Sequence, residues 1–296
     1  MKYAFFPGCV AKGGAPELYD SAKIVMERLN IETVELKRAS CTGAGVLQEK
    51  DKKMGDILNI RTLAMAEDIG LSLLVICSTC QGVISQANHR VRSDSKYLDE
   101  INDVLSDEGL KYNGTTKVKH LLWAIIEDIG IEDLKKTFVS ELKGLELAPF
   151  YGCYMVRPSD ALEFNKYPER ENSLELLIES TGASVTKYSG TTACCGFPIL
   201  FINQENSLKM VSNHTGSAKD SGANAIVTPC PLCHLNLDGY QPKARKNNRK
   251  DKADMPIIHV PQLIGLAMGI SKKELGLQKH IVSTKEVLKK IEEITL

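Results

Sequence analysis

Nine cysteines punctuate the 296-residue chain, and their order repeats. Cys9, Cys41, Cys77 and Cys80 form the first set; Cys153, Cys194, Cys195, Cys230 and Cys233 form the second. The spacings read Cys-x(31)-Cys-Thr-Gly-x(33)-Cys-x2-Cys and Cys-x(40)-Cys-Cys-Gly-x(33)-Cys-x2-Cys. Four thiolates suit tetrahedral zinc or an ordinary iron–sulfur cube. Five are one more than either uses. The adjacent pair Cys194–Cys195 is poorly built for a disulfide, because neighbouring side chains in an extended segment point opposite ways. Such a pair can reach two different metal atoms, so five ligands point to a larger or opened cluster. Glycines after the turns, Gly43 and Gly196, let the backbone approach inorganic sulfide closely.

These sulfurs lie far apart in sequence, so the elements between must gather them. Each copy opens on a short apolar strand, residues 3–6 or 148–151, that ends at Gly-Cys. A helix follows, over 17–29 in the first copy and 173–180 in the second. In the second, Leu174, Leu177 and Ile178 share a face, and Asn172 with Glu175 has the form of a capping pair. A strand (33–36, 184–188) leads to the Cys-Thr-Gly or Cys-Cys-Gly turn. A second helix ends at Gly70 or Gly222. A β-branched strand (73–76, 225–228) then runs into Cys-x-x-Cys, and one more strand and helix pass through His120 or His259.

The stretches between cysteines agree as well: AEDIGLSLLVIC (66–77) parallels AKDSGANAIVTPC (218–230), and VKHLLWAI (118–125) parallels IIHVPQLIGLA (257–267). This is an internal duplication. Strand–helix alternation predicts an α/β fold of two tandem duplicated domains, 1–146 and 147–296, with mostly parallel sheets. Each half is long enough to bury its own core. The cysteines fall at the carboxyl ends of strands, where such sheets place their sites.

Composition bounds the function. Apolar residues make up 43% and charged residues 25%, with a formal net charge of zero, so nucleic acid is not the expected main partner. No apolar run approaches the roughly 18–20 residues that cross a bilayer. The opening MKYAFFPGCV reads as a buried strand, since Cys9 comes too early for a signal peptide of roughly 15–30 residues. The expected location is then the cytoplasm, where thiols stay reduced and serve metal binding or redox chemistry rather than a disulfide framework.

With these motifs in place, the duplicated pattern resembles the CCG-domain, or cysteine-rich, family, which includes the B subunit of heterodisulfide reductase and the E subunit of atypical succinate dehydrogenases. The resemblance covers essentially the whole chain. It implies that Cys153, Cys194, Cys195, Cys230 and Cys233 hold a noncubane [4Fe–4S] cluster. Thr42 stands where the first copy's second adjacent cysteine would be. Cys9, Cys41, Cys77 and Cys80 are therefore expected to hold zinc or a simpler, second iron–sulfur cluster, with zinc ranked first. The implied activity is oxidoreduction of a sulfur group, a thiol/disulfide or sulfane-sulfur carrier, as one subunit of a complex. Cys194 and Cys195 are the implied catalytic residues; His234, directly after Cys233, is the candidate to hydrogen-bond a sulfide or give a proton to a leaving thiolate, against the slightly favoured reading of a satisfied helix-terminal histidine. Implied partners are a ferredoxin-like iron–sulfur subunit and a flavin subunit. The alternative is a non-catalytic electron-transfer or docking subunit of a succinate-dehydrogenase-like or sulfur-oxidising complex.

Two rival chemistries weigh less. A thioredoxin-like Cys77-Ser-Thr-Cys80 motif leaves the other spaced cysteines idle, and a purely structural zinc protein leaves Cys194–Cys195 unexplained. His120 and His259 read as tethers of buried turns, with metal ligation or proton transfer as the alternative. The basic run PKARKNNRKDK (242–252) reads as a solvated loop or a dock for an anionic partner. The tail over 283–296 reads as an amphipathic helix with Ser283 and Glu286 as caps and Val287, Ile291 and Ile294 on one face.

Overall fold

The structure, a computed structural model, describes residues 1–247 and 254–295. The first copy runs β1 (Lys2–Phe6), α1 (Cys9–Gly13), α2 (Pro16–Arg28), β2 (Glu32–Glu35), α3 (Val46–Lys50), α4 (Lys52–Asp68), β3 (Leu73–Val75), α5 (Ser78–Ser93), α6 (Ser95–Leu105), β4 (Val118–His120), α7 (Leu121–Ala124) and α8 (Ile131–Lys135). The second runs β5 (Glu146–Pro149), α9 (Ser173–Ser180), β6 (Ser184–Val185), α10 (Gln204–Asp220), β7 (Ala225–Thr228), α11 (Pro231–Gly239), α12 (Gln241–Asn247), β8 (Ile257–His259), α13 (Val260–Ala267) and α14 (Lys285–Thr295).

The strands form two four-stranded sheets ordered β2-β1-β3-β4 and β6-β5-β7-β8, with every pair parallel. The fold is thus the expected duplicated α/β architecture. Strand order reverses between β1 and β3 and again between β5 and β7. The crevice beyond the carboxyl ends of such a pair is where open α/β sheets bind ligands. Cys9 and Cys77 follow β1 and β3, and Cys153 and Cys230 follow β5 and β7, so each copy aims sulfur at its own switch point.

Strands buried on both faces need cover on both sides. Here the cover is shared. Tyr3, Phe5, Leu74 and Ile76 pack in one layer with Leu147, Tyr151 and Val227; Ala4, Phe6, Leu73 and Val75 pack in the other with Ala148, Phe150 and Ile226. Helix α2 of the first copy lies on α13 of the second. The core is thus two layers that run through both copies.

Smaller differences have local causes. Asn172 makes no capping bond. Its intended partner Glu175 instead accepts the Tyr151 hydroxyl, and that phenol oxygen accepts the Leu174 N–H at 2.7 Å. A tyrosine from the preceding strand end thus caps α9. Strand β6 stops at Val185, short of the expected 184–188. In α14, Val287 is buried and Leu288 and Ile291 pack against the shared core. Ile294 and the rest of the tail carry no description of their side chains. Of the basic run, residues 242–247 continue as α12, and 248–252 lie outside the described residues.

Candidate metal centres

All nine cysteines are free thiols. In the second copy a tight turn carries the adjacent pair. Gly196 sits at φ 90°, a left-handed conformation that favours glycine. Its N–H donates to Cys194 Sγ at 3.4 Å, and the next N–H, from Phe197, donates to Cys195 Sγ at 3.5 Å. The two carbonyls of the pair are held from outside: His214 Nε2 donates to Cys194 O at 2.9 Å, and Asn236 Nδ2 donates to Cys195 O at 2.7 Å. The turn is therefore locked with its two sulfurs in contact, and each sulfur also reaches a different second neighbour. Cys194 meets Cys153, while Cys195 meets Cys233.

From there the contacts continue. Cys233 meets Cys230, Cys230 meets Cys77 of the first copy, and Cys77 meets Cys80. Seven sulfurs thus form an unbroken run across both copies. Cys9 and Cys41 stand at its first-copy end as a separate pair, 3.6 Å apart. Sharing protons splits the thiols. Hydrogen bonds from Cys153 and Cys195 hold Cys194 well below the ordinary thiol range, and those from Cys233 and Cys77 do the same for Cys230. Cys9 holds Cys41 down to about 6. Donors move the other way: Cys153, Cys233 and Cys77 are pushed up by the same bonds and by burial.

These donor sets fit a thiolate-bound metal centre. A Cβ at Gly152 would come 2.9 Å from Cys233 Sγ, and one at Gly8 would come 3.2 Å from Cys80 Sγ, so bare backbone makes room beside each set. Metal binding replaces the shared protons, since thiolate is the ligand form. In the first copy, Thr42 is as buried as Cys195, at 4% exposure each. Its turn has the same build: Gly43 lies at φ 70° and its N–H supports Cys41, and Asn59 Nδ2 donates to Thr42 O at 3.0 Å. The copies differ in exposure too. Cys9 and Cys41 are exposed, Cys153 and Cys194 are half-buried, and Cys77, Cys80, Cys195, Cys230 and Cys233 are buried.

The join between copies is made by residues with no signal in the cysteine pattern. Thr79 Oγ lies 3.5 Å from Cys230 Sγ, and Ser78 Oγ donates to Pro229 O at 3.2 Å. His120 accepts the Leu122 N–H on Nδ1 (3.1 Å), which leaves its proton on Nε2 to bond Pro229 O at 3.0 Å. Burial keeps this imidazole neutral, with its pKa pushed down to about 4. His120 is thus a tether, but of the other copy's Cys230 turn. Tyr154, next to Cys153, donates to Gln48 Oε1 of α3 at 3.3 Å and ties the second set's rim to the first copy. His259 does not repeat the role of His120. Its Nε2 faces Glu17, 3.6 Å away, and its ring stacks on His234 at 4.0 Å. The ring nitrogens of His234 face Glu17 and His280, so the residue sits beside Cys233 in sequence with its polar atoms on a histidine cluster. Two surface grooves of about 700 and 670 Å³ lie elsewhere, and no cysteine lines them.

Comparison with known proteins agrees with this geometry. The cysteine-rich domain (CCG) family profile matches residues 3–85 and 147–238, once per copy. The chain belongs to the CCG cysteine-rich domain family. It is 36% identical over 281 residues to the 8-methylmenaquinol:fumarate reductase membrane anchor subunit of Wolinella succinogenes, covering 95% of this chain and 97% of that one. It is 30% identical over 297 residues to the B subunit of the ferredoxin/F(420)H(2)-dependent CoB-CoM heterodisulfide reductase of Methanosarcina acetivorans, covering 99% and 98%. The fold matches the crystal structure of a hypothetical protein from Helicobacter pylori with a TM-score of 0.79 at 18% identity, over 95% of this chain and about half (52%) of that one. Among the described residues no helix is long and apolar enough to cross a membrane.

Proposed function

We propose that this chain is the iron–sulfur subunit of a heterodisulfide-reductase-like complex and exchanges electrons with a thiol/disulfide or sulfane-sulfur substrate. Cys153, Cys194, Cys195, Cys230 and Cys233 are the residues that would hold a noncubane [4Fe–4S] cluster. When bound, that group supplies one-electron chemistry that bare side chains lack, so a two-electron sulfur bond is made or broken in two steps. The observation that carries this reading is the locked Cys194–Cys195 turn, whose two touching sulfurs each reach a further cysteine, Cys153 for one and Cys233 for the other. The chain's own part is to fix that turn with Asn236 and His214, to line the thiolates with backbone N–H donors, and to keep water from the buried sulfurs. Half-buried Cys153 and Cys194 mark the side from which a substrate sulfur approaches. Cys9, Cys41, Cys77 and Cys80 make a smaller centre, for which zinc is the assignment. Ferredoxin-like and flavin subunits are the proposed partners, and the cytoplasm, at a membrane only through such a partner, is the proposed location.

A second reading is favoured by the 36% identity to a fumarate reductase subunit. In it the chain passes electrons and docks partners without making bonds. Paramagnetic resonance of the anaerobically purified protein, titrated with thiol and then disulfide, separates the two. A line shape that changes with thiol supports sulfur chemistry at the centre; an iron signal indifferent to thiol overturns it and leaves the electron carrier.

A further inference from the structure

Behind the second set, at the seam between copies, a buried polar cluster belongs to neither group of cysteines. Glu17 enters it from the start of α2 in the first copy; His234 of α11 and His259 at the head of α13 enter it from the second. Their exposures are 6%, 2% and 0%. We propose that a divalent transition ion, zinc by its chemistry, sits between Oε1 of Glu17, Nδ1 of His234 and Nε2 of His259 and ties the two copies together.

The geometry points to one shared centre. Glu17 Oε1 lies 3.6 Å from His259 Nε2 and 4.0 Å from His234 Nδ1. Both distances exceed a hydrogen bond, and both nitrogens are buried without a hydrogen-bond partner. The three ligand atoms all lie within 4.8 Å of one another. Around a tetrahedral zinc with N and O ligands at about 2.0–2.1 Å, donor–donor edges come to about 3.4 Å, so the set draws together on binding and the stacked His234 and His259 rings turn to aim both nitrogens at the ion. Two imidazoles and a carboxylate are a donor set that zinc takes readily. His280 supplies an outer contact, with Nδ1 3.5 Å from His234 Nε2, of the kind that orients metal-bound imidazoles.

The cluster is not a by-product of the duplicated scaffold. Gln81 follows Cys80 where His234 follows Cys233. His120, the counterpart of His259, satisfies both of its ring nitrogens. Enclosure favours a structural ion, loaded as the copies close on each other. The proposal does not depend on what the cysteines hold. Its competitor is a metal-free network, in which the Gln262 amide, 2.9 Å from His280 Nε2, sets a run of N–H donors that ends on Glu17.

Metal analysis and zinc-edge X-ray absorption on the full chain with Cys9→Ser and Cys41→Ser decide between them, because those changes remove the other zinc-capable set. The proposal predicts about one zinc per chain with a first shell of N and O at about 2.0–2.1 Å and no sulfur at about 2.3 Å. Adding Glu17→Ala should lower that zinc at least about tenfold while the iron signal of the second set stays unchanged. A chain without zinc, or zinc in a sulfur shell, overturns the proposal and leaves the proton network. Should Glu17→Ala fail to fold, zinc-edge anomalous density in wild-type crystals replaces it: a peak between the three side chains supports the site, and a blank map overturns it.

Discussion

Thr42 in the first copy and Cys195 in the second occupy matched places. Each is 4% exposed, each precedes a glycine with positive φ, and each has its carbonyl held by an asparagine amide. The asparagines come from different helices, Asn59 from α4 and Asn236 from α11, so the two turns reach one geometry by separate supports. What changes is the atom at the end of one side chain, a hydroxyl in place of a thiol. The outer sulfurs also differ: Cys9 and Cys41 stand in solvent, while Cys153 and Cys194 are half covered. The comparison teaches that backbone and donor set are separable. The fold supplies two crevices of like build, and their donor sets differ by one thiol.

The largest way to break the contrast is Thr42→Cys. A thiol there completes the five-sulfur pattern in a turn already built for it. The expected result is a second iron–sulfur centre, with iron rising from roughly four to roughly eight per chain. Iron content by anaerobic metal analysis checks this; an unchanged load means the first crevice differs in more than one residue. Thr79→Val is a smaller probe. It removes the hydroxyl that the first copy places on Cys230 but leaves all nine thiols. Outer contacts of this kind are worth about 10–100-fold in metal affinity, so chelator-driven loss of the second centre should quicken by about tenfold. The gentlest test concerns the metal-free chain. With Cys41 held down to about 6 by the Cys9 thiol, its thiolate fraction, and with it its alkylation rate, should rise through about pH 6 and level off by about pH 8. Cys9, pushed up by the same bond, should stay slow across that range. Mass spectrometry of the alkylated peptides reads both, and Cys9→Ala should return Cys41 toward the ordinary thiol range.

Much of this arrangement is legible in the sequence. Apolar strands that run into cysteine, together with the repeat itself, are local signals, and they give the parallel sheets and the two sulfur sets. What is not legible lies between the copies. The layers that join Phe5 to Leu147 and Ala4 to Ala148 follow from how two halves cover each other, which no periodicity within one half encodes. The same holds for the Cys77–Cys230 contact, for Thr79 on Cys230 and for His120 on Pro229. His120 and His259 show the limit plainly. Their positions in the repeat are equivalent, yet one tethers a turn and the other faces a carboxylate, because Glu17 arrives only when α2 packs on α13. Glu175 fails as a cap for a related reason, its carboxylate being taken by Tyr151 from the neighbouring strand.

The central claim is that the fifth thiolate makes the second centre what it is. Cys195→Ser, with iron, sulfide and the paramagnetic spectrum measured beside wild type under anaerobic conditions, tests it most directly. The account predicts that wild type carries roughly four irons in the second set and that the variant loses most of them, along with the native spectrum. A variant that keeps the same iron load and the same spectrum would contradict it.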